Sequence, residues 1–122
     1  MPHFHAIVWI DQKEAKIFYF NATEADKLHV LPEHAHHISA KTHKPLDNPE
    51  YYHAIAEKLK TAGEILIVGP GQAKSELVKH ITKHDHSLIQ KIVGVETVDH
   101  PSDGQIVAYA RAYFHAADRM RA

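Results

Sequence analysis

Two kinds of hydrophobic pattern divide this 122-residue chain. Residues 3–10 (HFHAIVWI) and 15–20 (AKIFYF) are dense in β-branched and aromatic side chains, and the short DQKE between them can close an antiparallel hairpin. Beyond Asn21, DKLHVL alternates, with Leu28 and Val30 on one face and His29 and Leu31 on the other, which predicts a third strand and a meander. EILIVG, residues 64–69, is apolar without alternation, the mark of a strand buried on both faces of a mainly parallel sheet, so it is expected to lie centrally. KIVGVETV, residues 91–98, reads as the last strand.

The helical period rules three other stretches. NPEYYHAIAEKLKTAG carries its own punctuation: Asn48 as N-cap, Pro49 in the first turn, Glu50 favouring the N-terminal dipole and Gly63 as stop, with Tyr52, Ile55, Ala56 and Leu59 as the buried stripe. A second helix is predicted from Gln72 to His84, with Ala73, Leu77 and Ile81 on one face beside Val78. SDGQ fits a capping box, Ser102 with Gln105, opening a helix through Met120 whose Ile106, Ala110, Tyr113 and Ala117 face inward. The order β-β-β-α-β-α-β-α predicts an α/β domain of two or three layers. Its mixed five-stranded sheet would run from the antiparallel meander into parallel strands reached by helical crossovers, the order of ribonuclease-H-like folds. Length and a 44% hydrophobic content fit one domain over residues 1–122. Residues 32–48, PEHAHHISAKTHKPLDN, are polar and His-rich without sustained periodicity, and read as a long exposed loop.

Charge narrows the partners little. Lys plus Arg number 14 and Asp plus Glu 15, so no overall basic excess marks a nucleic-acid binder. The 13 histidines are the unusual figure, because acidification through their titration range would reverse the sign of the net charge. The absence of cysteine excludes disulfides, thiolate nucleophiles and Cys-ligated zinc, and makes a cytoplasmic address the default. No apolar run reaches the roughly 18 residues of a membrane span, and MPHFHAIVWID has neither a basic n-region nor a cleavage site.

ILIVGPGQAKSEL, residues 65–77, looks at first like a phosphate-binding turn. A Walker A loop starting at Gly69 would need glycine where Lys74 stands, a dinucleotide fingerprint fails at the same position, and Pro70 removes a backbone N–H that either loop would aim at phosphate. The reading left is a tight strand-to-helix turn whose glycines, Gly69 and Gly71 around Pro70, permit close packing and unusual φ.

The same residues carry a resemblance. ILIVGPGQAKSELVKHI, followed by IVGVETVDHPSDGQIVAYARAYF, resembles the central domain of archaeal and eukaryotic class 1 peptide release factors and their relative Pelota. Gly69, Pro70, Gly71 and Lys74 match that family's G-P-G-x-x-K-type turn, and Val98, Asp99 and Gly104 approximate its V-D-…-G stretch. From HAIVWIDQKEAKIF to YFHAADRM the chain is similar to small stand-alone bacterial proteins of this group, labelled translational machinery proteins. The resemblance implies a translational-machinery-component fold. It also implies a departure: release factors carry a Gly-Gly-Gln before the first helix of this domain, whose glutamine promotes peptidyl-tRNA hydrolysis, and residues 32–48 contain neither glycine nor glutamine. Gln72 belongs to the later turn, so the hydrolytic role does not pass to it. The codon-reading and partner-binding domains of the family find no room in 122 residues, and autonomous peptide release is not expected.

Candidate chemistry lies in four groups. His34, His36, His37 and His43 could capture Zn²⁺ or Ni²⁺ adventitiously, although no resident cofactor is expected. With Lys41 and Lys44 they could instead form an arm on RNA phosphates and bases. His80 and His84 form an i,i+4 pair at a helix end, which suits the helix dipole as well as a ligand. Asp11, Asp99 and Asp103 are the acids a metal-dependent RNA hydrolase would use; the alternative is a turn residue and helix caps. Lys74, Lys79, Lys83 and Lys91 with Arg111, Arg119 and Arg121 would form one basic face if the second and third helices lay side by side. Trp9 and Tyr19 are expected in the core. The expectation is a non-enzymatic module associating with ribosomes or structured RNA through Lys74, the second helix and the His-rich arm, without a membrane, and compatible with self-association. A metal-dependent RNA hydrolase and a His-rich metal-binding protein are the alternatives.

Overall fold

Strands β1 (His5–Ile10), β2 (Ala15–Phe20) and β3 (Ala25–Val30) form the meander, and both of its turns are built alike. Asp11 Oδ1 accepts from the Lys13 and Glu14 amides at 2.8 and 2.9 Å, and Asn21 Oδ1 accepts from Thr23 and Glu24 at 2.9 and 2.7 Å. Each turn is closed by an amide of the same Asp or Asn donating to a glutamate carbonyl, Asp11 to Glu14 and Asn21 to Glu24, at 3.0 Å. The side chain imitates a backbone turn, which is why DQKE and NATE, unlike in their middle residues, make the same bend. The computed structural model describes residues 4–32 and 48–121, without the side chains of residues 117–121, which include Ala117, Arg119 and Arg121.

Helix α1 (Pro49–Lys58) leads to β4 (Glu64–Gly69), α2 (Ala73–His84), a single turn α3 (His86–Ile89), β5 (Ile92–Thr97) and the long α4 (Asp103–Arg121). The sheet order is β3-β2-β1-β4-β5. β1 pairs antiparallel with β2 and parallel with β4, and β5 joins β4 in parallel through a register shift at Ile65/Leu66. Alternate residues of β1 and β4 face opposite layers. Ala6, Val8, Ile10, Ile65 and Ile67 pack with Tyr51, Ile55 and Leu59 of the α1 segment and Leu77 and Ile81 of α2. Ile7, Trp9, Leu66 and Val68, with Phe18 and Phe20, pack under Ile106, Val107, Ala110 and Phe114 of α4. The domain is therefore three-layered, and covering on both sides explains the unbroken apolar runs of its central strands.

The caps act as their residue types dictate. Asn48, itself buried, accepts from the Tyr51 amide at 3.2 Å, and Pro49 opens α1. Ser102 and Gln105 bond reciprocally, amide to side chain, at 2.8 and 3.2 Å. Two local expectations need correcting. Gly63 does not stop α1, which ends at Lys58 with the Leu59 amide on Ala56; its missing Cβ instead makes room for the Phe4 ring. None of the described glycines adopts positive φ, so the turn after β4 needs no unusual backbone region. Among the described residues no helix is long and apolar enough to cross a membrane.

Candidate functional site

The parallel strands β1, β4 and β5 all end on one edge of the sheet, where three loops meet: Asp11 after β1, Gly69 to Gln72 after β4, and Asp99 to Pro101 after β5. In open α/β sheets this carboxyl-end crevice is the usual place for a ligand. Here it is a cavity of 540 Å³ lined by the Asp11–Glu14 turn, the Pro70–Ala73 turn and His100.

Gly69 ends β4 beside Ile10, the last residue of β1, and a Cβ on it would overlap the Ile10 carbonyl oxygen. That backbone group cannot rotate away, so close approach of the two strands requires the missing side chain. Gly71 faces open space. Gln72 gives α2 no side-chain cap, and Lys74 turns back to donate to the Gly71 carbonyl at 2.6 Å. The lysine thereby ties the turn to the first turn of the helix.

Across the crevice, His100 stands between two acids, with Nδ1 at 2.9 Å from Asp99 Oδ1 and Nε2 at 3.6 Å from Asp11 Oδ2. Trp9 supports this group from the α4 side of the sheet: its indole N–H donates to the Asp99 carbonyl at 2.7 Å, and its ring lies 5.2 Å from the imidazole. From the other layer the buried Tyr51 hydroxyl donates to the Asp11 carbonyl at 3.0 Å; burial, reinforced by Asp11, pushes that phenol's pKa upward. Asp11 thus holds its own hairpin with one oxygen and faces His100 with the other.

Asp103 has a different setting. Its two oxygens receive Lys16 at 3.2 Å and Lys27 at 2.7 Å, and the hydrogen bond from Lys27, then that from Lys16, holds its carboxyl below the usual range. The pair ties α4 to β2 and β3, as does Arg111, which donates to the carbonyls of Asn21 and Glu24. Among the described residues, no three His, Asp or Glu side chains converge as a ready coordination sphere.

Among the described residues, the basic side chains do not gather on one face. α2 and α4 pack on opposite layers of the sheet, so Lys79 and Lys83 stand apart from Arg111, and Lys91 donates to the Lys60 carbonyl. Lys79 and Lys83 are exposed, one turn apart on α2, with Lys79 3.3 Å from Glu76. They line a groove of 790 Å³ together with Asn48, Tyr52, His80, His84 and His86. His34, His36, His37 and His43, with Lys41 and Lys44, lie outside the described residues. Asn48, the first described residue after that segment, sits in this same groove. Sequence reasoning missed His100, whose only local signal was its place directly after Asp99 at the end of a strand, and His53, which faces His80 from α1.

No protein-family model matches the sequence, and no curated protein matches it. Solved structures do match. Pelota of Archaeoglobus fulgidus superposes with a TM-score of 0.66 at 13% identity over 88% of this chain and 30% of that one. Pelota of Thermoplasma acidophilum gives 0.62 at 20% identity, over 84% of this chain and 30% of its own. An archaeal translation termination factor gives 0.56 at 15% identity, over 96% and 39%. The fold is that of a translation-factor domain. The chain spans well under half the length of each of these proteins.

Proposed function

We propose that the protein is a ribosome- or RNA-associated binding module that works without hydrolytic chemistry of its own. The observation that carries this reading is the shared fold, which extends over nearly the whole chain in proteins described as Pelota and as a translation termination factor. The absence of Gly-Gly-Gln from the sequence supports a binding role over peptide release. The surface best suited to phosphate is the exposed edge of α2, where Lys79 and Lys83 border a groove that also receives the residue following the His-rich segment. Lys74 contributes through its hold on the turn at the head of that helix.

Co-sedimentation with ribosomes tests the reading. Association is expected at about 50 mM salt and should weaken at about 200 mM, since neutralised phosphates release counterions. Replacing Lys79 and Lys83 by glutamate should weaken binding and lower the salt slope by about two. Absence of co-sedimentation at both salt concentrations defeats the proposal.

A further inference from the structure

Where α1 and α2 meet at the surface, three imidazoles and one carboxylate surround a single hollow. Glu50 and His53 come from α1, His80 and His84 from α2, and with Pro49 and Ala54 they line a cavity of 450 Å³. The ring centres of His80 and His84 are 4.7 Å apart, and those of His53 and His80 are 6.4 Å apart. Two of these groups are anomalous for a solvated helix flank. His80 Nε2 and Glu50 Oε1 are buried and have no hydrogen-bond partner among the described residues. Leaving such an atom unsatisfied costs about 1–3 kcal/mol, so a pair of them in one hollow calls for an explanation.

We propose that this hollow binds a borderline divalent transition-metal ion, with His80 and His84 as the primary ligands and His53 and Glu50 completing the set. Three imidazoles and a carboxylate suit Zn²⁺ without any cysteine, whereas Mg²⁺ and Ca²⁺ require mostly oxygen donors. Rings sharing a zinc ion at an N–metal distance of about 2.1 Å have centres about 5 Å apart, so His80 and His84 already stand at the right spacing. His53 needs to swing inward by about 1 Å. Its side chain is 63% exposed and held only loosely at 3.8 Å from Glu57, so that movement disturbs no core packing. Burial, then the neighbouring His84 and His53, lowers the proton affinity of His80, which keeps it in the neutral form that a metal requires. A bound ion would join α1 to α2. His80 and His84 also line the groove beside Lys79 and Lys83, but the inference does not depend on the ribosome reading, because it is read out without RNA.

Metal-stripped protein titrated with Zn²⁺ in a calorimeter provides the test, with a thermal melt of each variant alongside. One equivalent is expected to bind at micromolar or lower Kd and to raise Tm. Exposed His84→Gln, which leaves the fold intact, should weaken that equivalent by at least about 30-fold and abolish the Tm rise, and His80→Gln should do the same. A variant with His34, His36, His37 and His43 all changed to glutamine should keep the equivalent. Visible spectra of the Co²⁺-loaded parent should show the intense bands of a four-coordinate site, and His84→Gln should lose them. The proposal is overturned by the absence of a stoichiometric equivalent, by its loss in the loop variant, or by its indifference to both His80→Gln and His84→Gln.

Discussion

Gly69→Ala and Gly71→Ala differ in position by two residues and are expected to differ widely in effect. At Gly69 the added methyl overlaps the Ile10 carbonyl oxygen and lies 3.3 Å from its carbon. The clash is backbone against backbone at the junction of two central strands, so relief requires parting β1 from β4 beyond their last pair, Trp9 with Val68. Forcing a methyl into packing of this density costs about 1–3 kcal/mol, and a rigid obstacle places the value in the upper half. The reduced freedom of the unfolded alanine chain returns about 0.4–1 kcal/mol, leaving a net loss of about 2 kcal/mol. At Gly71 the same methyl meets nothing within 4 Å, and φ is not positive. Only the unfolded-chain effect remains there, a stabilisation of up to about 1 kcal/mol. Urea unfolding followed by the fluorescence of Trp9, the one tryptophan of the chain, measures both. At about 4 °C per kcal/mol, melting should fall by about 8 °C in Gly69→Ala and hold or rise in Gly71→Ala. If Gly71→Ala proves as damaging as Gly69→Ala, or if Gly69→Ala stays within about 0.5 kcal/mol of the parent, the account of this turn as strand-packing architecture fails.

Asn48→Ala removes the cap of α1 and leaves the Tyr51 amide without its side-chain acceptor, so unfolding free energy should drop by about 1–2 kcal/mol in the same assay, and a change below about 0.3 kcal/mol would contradict the capping role. Because the proton affinity of His80 is lowered in the folded state, the unfolded chain binds that proton more readily. Stability should therefore be full above the ordinary histidine range and fall as pH drops from about 6.5, and metal-free His80→Gln should show a shallower fall than the parent between pH 7.5 and 5. An identical pH profile in the two proteins would refute that assignment. Asp103→Asn should cost about 0.5–1 kcal/mol at low ionic strength and less in about 0.5 M salt, because the pairs with Lys16 and Lys27 are half exposed and screened. The depressed Asp103 pKa places this contribution above the ordinary carboxylate range, with loss as pH falls through the lower folded value, so the parent and variant curves should converge in acid. A salt-independent difference would point to packing.

The amino-acid sequence determined most features that depend on neighbours along the chain, though not where α1 ends or the backbone of the turn after β4. Alternation and apolar runs marked five strands, and periodicity with the caps Asn48 and Ser102 located three helices, because those forces act over a few residues. The single turn α3 was too short to carry a period. The failure of the nucleotide templates was likewise readable from Pro70 and Lys74 alone. Which distant groups meet is set by the packing of the whole domain. The sheet order places the ends of β1, β4 and β5 on one edge, which brings His100 to Asp11 and the Trp9 indole to Asp99. It sends α2 and α4 to opposite layers and so divides basic residues that a linear reading allows to combine. It sets His53 of α1 beside the His80–His84 pair of α2. The physical reason is that burial rewards the covering of apolar faces, whichever elements supply it, while the polar residues at the rims are carried into one another's company by that packing and leave no periodic trace in the sequence.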